Sequence, residues 1–304
     1  SSILDDDVAE HRELASELGR RTPFVGRGDP LWAGTPLSLL GDLLGRAFGL
    51  SLPTAADNQR ALRDAVARRV PPDELDRIAA FLAEITGFPL PDEAHHELGA
   101  ARLDSLLMRD QMRRAFTDLV VHLARERPLV LVLDDLHFGD RPSLQLIDAA
   151  LDRASELPLL VLGVGRPELH DAFPRLWRER GVAEVRVGPL SGKAARELVA
   201  SALPTADEAQ VQALIERAGG NPLFLEELIR AQVEQRSTVP ESVVAMVRAR
   251  LDSIEADGRR VLRAASIFGL HFWRGGLAAL LADEPASRID AWLAALEARE
   301  LIVA

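Results

Sequence analysis

The stretch PLVLVLDDLHFGD, Pro128 to Asp140, runs five aliphatic residues together and ends them on two adjacent carboxylates, Asp134 and Asp135. An unbroken Leu/Val run bounded by Pro128 and a turn reads as a parallel strand covered on both faces, where no alternation of polar and apolar residues is needed. Two readings of the carboxylates stand open. They can be the solvated start of a loop. Alternatively, open parallel sheets build their sites just beyond the carboxyl ends of their strands. There one carboxylate can hold a Mg²⁺ ion while the next orients or deprotonates a water.

The whole chain narrows the choice. Its 304 residues are enough for roughly two domains with a sizeable core. Hydrophobic content of 47% with 27% charged residues is an ordinary globular balance and excludes extended disorder. Without cysteine there is no disulfide framework and no thiolate metal site. No apolar run reaches the ~20 residues of a membrane span, and the acidic start SSILDDDVAEH is unlike a secretory signal. A cytoplasmic protein without membrane association is expected.

The net charge of −11 argues against non-specific adhesion to nucleic acid or anionic lipid. Lys193 is the only lysine. A phosphate-binding loop of the form G-x-x-x-x-G-K-[ST] needs its lysine to reach the β/γ-phosphates. The segment GPLSGKAARE, Gly188 to Glu197, has three residues between its glycines and Ala194 where Ser or Thr should stand. It reads as a turn followed by a helix.

Along the chain, Ile3, Leu4, Val8, Leu14 and Leu18 give a helical pattern over 3–19, and TPFVGR, Thr22 to Arg27, suits a short strand. Helices are predicted over about 36–49, 57–70, 73–86, 100–126 and 143–154. Strands are expected at Pro158 to Gly165 and Val182 to Leu190. Strands alternating with helices imply parallel crossovers and an α/β sheet. Beyond Pro189 the pattern is helical: about 192–202, 207–217, 222–236, 240–254, 257–267, 273–282 and 287–299, with a strand beginning at Leu301.

Two more stretches bear on the acidic pair. VLGVGRPEL sets Arg166 at the carboxyl end of the second strand, where its fixed charge suits a terminal phosphate; an arginine reaching to water at a helix entry is the plainer reading. RAGGNPLFLEELIR, Arg217 to Arg230, explains itself as a helix stop at Gly219 or Gly220, an Asn221 cap and Pro222 in the next first turn. Its functional reading is a rigid corner pressed against an adenine ring.

Taken in order, VLVLDDLHFGD, VLGVGRPEL, LSGKAARELV, GGNPLFLEEL and DGRRVLRAASIFG resemble the signal-transduction NTPases with numerous domains. These form the STAND branch of AAA+-related P-loop proteins, as in ATPase modules of large ATP-binding LuxR-type regulators and bacterial kinase or cyclase fusions. The series covers about 128–300, and GRGDPLWAGTPLSLLGDLL resembles the segment after the P-loop helix. The resemblance implies an α/β, parallel-sheet P-loop NTPase-like core over 1–189 with a helical insertion at about 51–126. An all-helical lid over 190–237 and an incomplete winged-helix-like domain over 238–304 would follow.

It implies ATP or ADP and Mg²⁺ as cofactors. By position, Asp134 corresponds to the Walker B magnesium carboxylate, Asp135 to the water-activating acid and Arg166 to the sensor of the γ-phosphate. Pro222, with Asn221 beside it, matches the lid proline near the base. Asp140 matches a recurrent acid expected to cap the following helix. The family's nucleotide-binding strand, glycine loop and lysine should precede the first helix; this sequence lacks that Walker A segment, which either lies upstream of Ser1 or has been lost.

The function implied is an ATP-binding regulatory switch with slow hydrolysis in a multidomain signalling or transcription regulator. Its partners would be nucleotide and other domains or proteins, with nucleotide-dependent oligomerisation. A pseudo-NTPase scaffold is the alternative. DNA reading by the terminal domain is disfavoured by acidity, although Arg259, Arg260 and Arg263 cluster on one helix.

Overall fold

A computed structural model of the chain describes residues 23–233, 251, 254–269, 272–298 and 301–302. The expected helix over 3–19, nearly all of that over 240–254 and the end of a strand from Leu301 lie outside them. Two compact units are formed, one of 1–181 with 269–275 and the other of 182–268 with 276–304.

The first unit is built on three short parallel strands in the order β1 (Phe24–Arg27), β2 (Leu129–Asp134), β3 (Leu159–Gly163). Register pairs Arg27 with Asp134 and Leu133 with Gly163. Between β1 and β2 come α1 (Ser38–Phe48), α2 (Ala55–Ala67), α3 (Pro72–Thr86), α4 (Leu98–Leu103) and α5 (Ser105–Glu126). The helix α6 (Arg141–Arg153) links β2 to β3, and the single turn α7 (Leu169–Ala172) follows.

Helix α1 shows why the elements form. Leu39, Leu40, Leu43, Leu44 and Phe48 recur at helical spacing and are all buried, and Gly49 ends the helix in the left-handed region. Leu39, Leu43 and Leu44 join Phe24, Leu131, Leu133, Phe116, Leu119 and Ile147 in one continuous core. Thr54 and Asp104 cap α2 and α5 through their side-chain oxygens.

Three expectations need correction. The helix expected over 100–126 is two helices, because Asp104 is extended and accepts from the Leu106 and Leu107 N–H groups at 2.9 and 3.2 Å. A capping bond competes with helix continuation at such a residue. The strand expected at Val182 to Leu190 is absent: residues 182–188 pair with nothing as a ladder, and Val185 and Val187 are exposed. Alternation supplies a strand's faces but not the neighbouring edge that completes it. Cover on both faces of the sheet is also incomplete. Leu129, Leu131 and Leu133 are buried, whereas Leu160 and Leu162, in register with Val130 and Val132, are 48% and 50% exposed.

The second unit is helical among its described residues: α8 (Gly192–Ala202), α9 (Glu208–Ala218), α10 (Pro222–Val233), α11 (Ala256–Ser266), α12 (Arg274–Leu280, whose first two residues belong to the first unit) and α13 (Ala286–Ala298). Helices α8, α9 and α10 share a small core of Ala195, Val199, Val211, Phe224, Leu225 and Leu228. No described helix is long and apolar enough to cross a membrane.

Candidate functional site

The carboxyl ends of β1 and β2 lie side by side, and this brings Arg27 to Asp134. Arg27 donates to the single oxygen Oδ2 of Asp134 from Nε at 2.9 Å and from Nη2 at 2.5 Å. The other oxygen, Oδ1, accepts the Asp135 N–H at 2.9 Å. Arg27 Nε is also 3.8 Å from Asp135 Oδ2. The hydrogen bond that Arg27 donates to Asp134, opposed by desolvation and helped by the nearby charges of Asp134, Asp135 and Asp42, holds the guanidinium still more firmly protonated than usual. Arg27 is itself anchored, its N–H donating to Asp42 Oδ2 at 2.7 Å, while Asp42 accepts from Arg46.

The turn after β2 is tightly bound to both neighbours. Gly28 N–H donates to the Asp134 carbonyl at 2.9 Å, and a Cβ at Gly28 would strike the Asp135 carbonyl oxygen, so only glycine permits this approach. On the other side Leu136 N–H donates to the Val164 carbonyl at 2.9 Å. Asp135 itself stands in the left-handed region at φ 48°, ψ 39°. Aspartate tolerates that region better than most residues with a side chain.

Arg166 lies three residues beyond β3, at the same end of the sheet, with its side chain exposed. Its N–H donates to His137 Nδ1 at 3.4 Å. Asp134, Asp135 and Arg166 therefore lie at one end of the parallel sheet, beyond the carboxyl ends of β2 and β3, and form its crest.

Asp140 belongs to the scaffold. Its Oδ1 accepts from Ser143 N–H, capping α6, and from Leu37 N–H, both at 2.8 Å. Oδ2 accepts from Leu39 N–H at 3.1 Å and from the Ser143 hydroxyl at 2.7 Å. The Ser143 oxygen in turn accepts from Leu40 N–H at 3.1 Å. The expected cap is present, and the same carboxylate also holds the start of α1.

In the second unit, Gly219 ends α9 in the left-handed region, and Asn221 Oδ1 accepts from Phe224 N–H at 3.0 Å. Leu190 N–H donates to the Gly220 carbonyl at 2.8 Å. A hollow of about 340 Å³ is lined by Leu190, Gly192, Ile215, Gly220 and Asn221, but not by Pro222. Within this unit Arg260 pairs with Asp283 at 2.5 Å and Glu284 at 3.0 Å, and Arg288 with Asp257 at 3.1 Å.

A larger hollow of about 950 Å³ lies against α6, lined by Arg141, Asp148, Phe173, Trp177 and Arg180, and it takes in none of the crest residues. Sequence reasoning missed Arg27, because its partner is 107 residues away and only strand register brings them together. His137 lies within the same motif, but nothing in its residue type or spacing signals its contact with Arg166.

The residues at the crest suit a hard divalent cation in part. Two adjacent carboxylates supply oxygen ligands, but no group of three or more possible metal ligands occurs among the described residues. That combination fits an ion that takes one or two carboxylates and completes its shell elsewhere, as Mg²⁺ does with nucleotide phosphates. No curated protein and no solved structure gives a significant match to the chain. The AAA ATPase domain family matches residues 8–162, a span containing β1, β2 and the Asp134–Asp135 turn and reaching into β3. That is just over half of the 304 residues, and the chain belongs to the AAA ATPase domain family.

Proposed function

We propose that the crest at Asp134, Asp135 and Arg166 is the Mg²⁺-nucleotide site of an ATP-driven regulatory switch of the STAND kind. The observation that carries this reading is the adjacent carboxylate pair at the carboxyl end of β2, in a chain of the AAA ATPase domain family. Bound Mg²⁺ would neutralise charge on the nucleotide's terminal phosphates. Asp134 would hold it through an oxygen now shared with Arg27, so Arg27 must yield that oxygen. Asp135, with its side chain 40% exposed, would orient the attacking water and accept its proton. Arg166 would meet the γ-phosphate. In this reading 1–189 is the core, 190–237 a lid and 238–304 a winged-helix-like domain that responds to nucleotide state. The pairing of Arg260 and Arg288 with carboxylates favours packing over DNA binding there.

The grip of Arg27 on Asp134 favours a second reading, a pseudo-NTPase scaffold in which an internal cation permanently replaces the metal. Titration calorimetry and phosphate release on the full-length protein separate the two. For a switch, Asp135→Asn should keep ATP bound and abolish turnover, because the amide positions water but takes no proton. Asp134→Ala should weaken Mg²⁺-dependent binding as well. Normal turnover by both variants would remove the site assignment, and no Mg²⁺-dependent binding by the unmodified protein would favour the scaffold.

A further inference from the structure

We infer that His137 is a positioning residue for Arg166, resting on the reading of the crest as a nucleotide site. The residue sits in the turn between the acidic pair and α6. Its Nδ1 accepts the Arg166 N–H at 3.4 Å. Its ring lies tilted on Phe138, with centroids 4.1 Å apart and planes at 41°. An accepting Nδ1 on a neutral ring leaves the proton on Nε2. That Nε2 is buried and meets no acceptor among the described residues, an arrangement that opposes folding. A leucine or methionine could pack on Phe138 without stranding a donor, so the presence of a half-buried imidazole points to the contact its other nitrogen makes.

That contact has a definite mechanical consequence. The backbone ladder between the two turns runs Val164 N–H to the Leu133 carbonyl and Leu136 N–H to the Val164 carbonyl, both within 2.9 Å. It stops two residues short of Arg166. Beyond Val164 the bond from Arg166 N–H to His137 Nδ1 carries the attachment one step further. Gly165 between them comes close enough that an added Cβ would lie 3.6 Å from His137 N. His137 thus extends the sheet's hydrogen bonding by one side-chain rung, and the rung ends on the backbone that aims Arg166. Because the bond is long, it directs the arginine without locking it.

Side-chain replacements that keep one nitrogen position at a time test this. In His137→Asn, Oδ1 is bonded to Cγ as Nδ1 is, so the acceptor for Arg166 survives. In His137→Gln, the amide reaches the position of Nε2 and the Nδ1 acceptor is lost. Hydrogen exchange of the Arg166 amide, measured without nucleotide, should stay within about threefold of the unmodified protein in His137→Asn. It should speed up by about tenfold or more in His137→Gln.

His137→Gln should also weaken ATP binding by about threefold to tenfold and leave ADP unchanged, and this effect should vanish in an Arg166→Ala background, since a residue acting through Arg166 has nothing left to position. Equal Arg166 exchange in all three proteins, or an ATP effect that persists undiminished without Arg166, overturns the inference. If the variants do not fold, ¹⁵N-imidazole spectra of the unmodified protein decide: a protonated Nδ1 at His137 overturns it, an unprotonated one supports it. Should the exchange contrast hold while the protein binds no nucleotide, the nucleotide reading falls and only the rung remains.

Discussion

Asp134 and Asp140 stand six residues apart in one motif and meet opposite fates. Asp140 is 2% exposed, and its two oxygens collect backbone N–H groups from Leu37, Leu39 and Ser143 together with a serine hydroxyl. Asp134 is held by a half-exposed arginine and by the N–H of the next residue. The first carboxylate is surrounded by groups that cannot leave without unfolding a helix start. The second is surrounded by a side chain that can swing away. Donor type and burial, more than the residue itself, separate an aspartate that builds the fold from one left available for chemistry.

The strongest test of this contrast removes the buried carboxylate. Asp140→Ala strands three backbone donors and uncaps α6, for an expected loss of about 2–4 kcal/mol in urea unfolding. Asp140→Asn should lose less, since its Oδ1 still accepts. Next comes the exposed partner. Arg27→Gln should change stability by less than about 1 kcal/mol, because both partners are partly exposed and the pair is screened. The same variant should raise Mg²⁺ affinity in the presence of ATP by freeing Asp134 Oδ2, readable by calorimetry. A loss on Arg27→Gln as large as that on Asp140→Ala would erase the distinction between the two aspartates.

The smallest effect concerns acid. Burial first, and then the adjacent His96, hold His95 below its ordinary value of 6.5. A group whose folded pKa is depressed contributes stability that is full above the unfolded value and lost as pH falls below it. Stability should therefore decline modestly below about pH 6.5, and His95→Asn, which can still accept the Glu97 N–H, should flatten that decline. Identical urea midpoints between pH 8 and pH 5 in both proteins would show that His95 does not report on acid.

Much of the scaffold was legible because its signals are local. Apolar spacing and caps located α1, α3 and α8 to within about two residues of their ends, and the Leu/Val run located β2. What failed was non-local or competitive. Asp104 lies in an apolar pattern that continues through it, yet a cap outbids continuity there. Val182 to Leu190 has a strand's alternation with no ladder to join. The placement of the acidic pair and Arg166 just beyond strand ends was readable from the aliphatic runs that precede them. Arg27 and His137 were not, since neither a partner 107 residues away nor a side-chain rung leaves a periodic trace. Asp140 was readable only by half. Its cap on α6 is local, whereas its hold on Leu37 and Leu39 spans about a hundred residues.

The left-handed backbone at Asp135 sets fold and chemistry at odds over a single side chain. Glycine is the residue most at ease at φ 48°, ψ 39°. An aspartate there carries a conformational burden of about 1 kcal/mol. If the crest is the nucleotide site proposed above, replacing Asp135 by glycine would relax the turn, discard the carboxylate and yield a protein that melts later and no longer turns ATP over. A screen for heat resistance alone would select that inert form. Position 135 would then measure, in one substitution, how much thermal endurance this chain forgoes to keep a carboxylate at the end of its central strand.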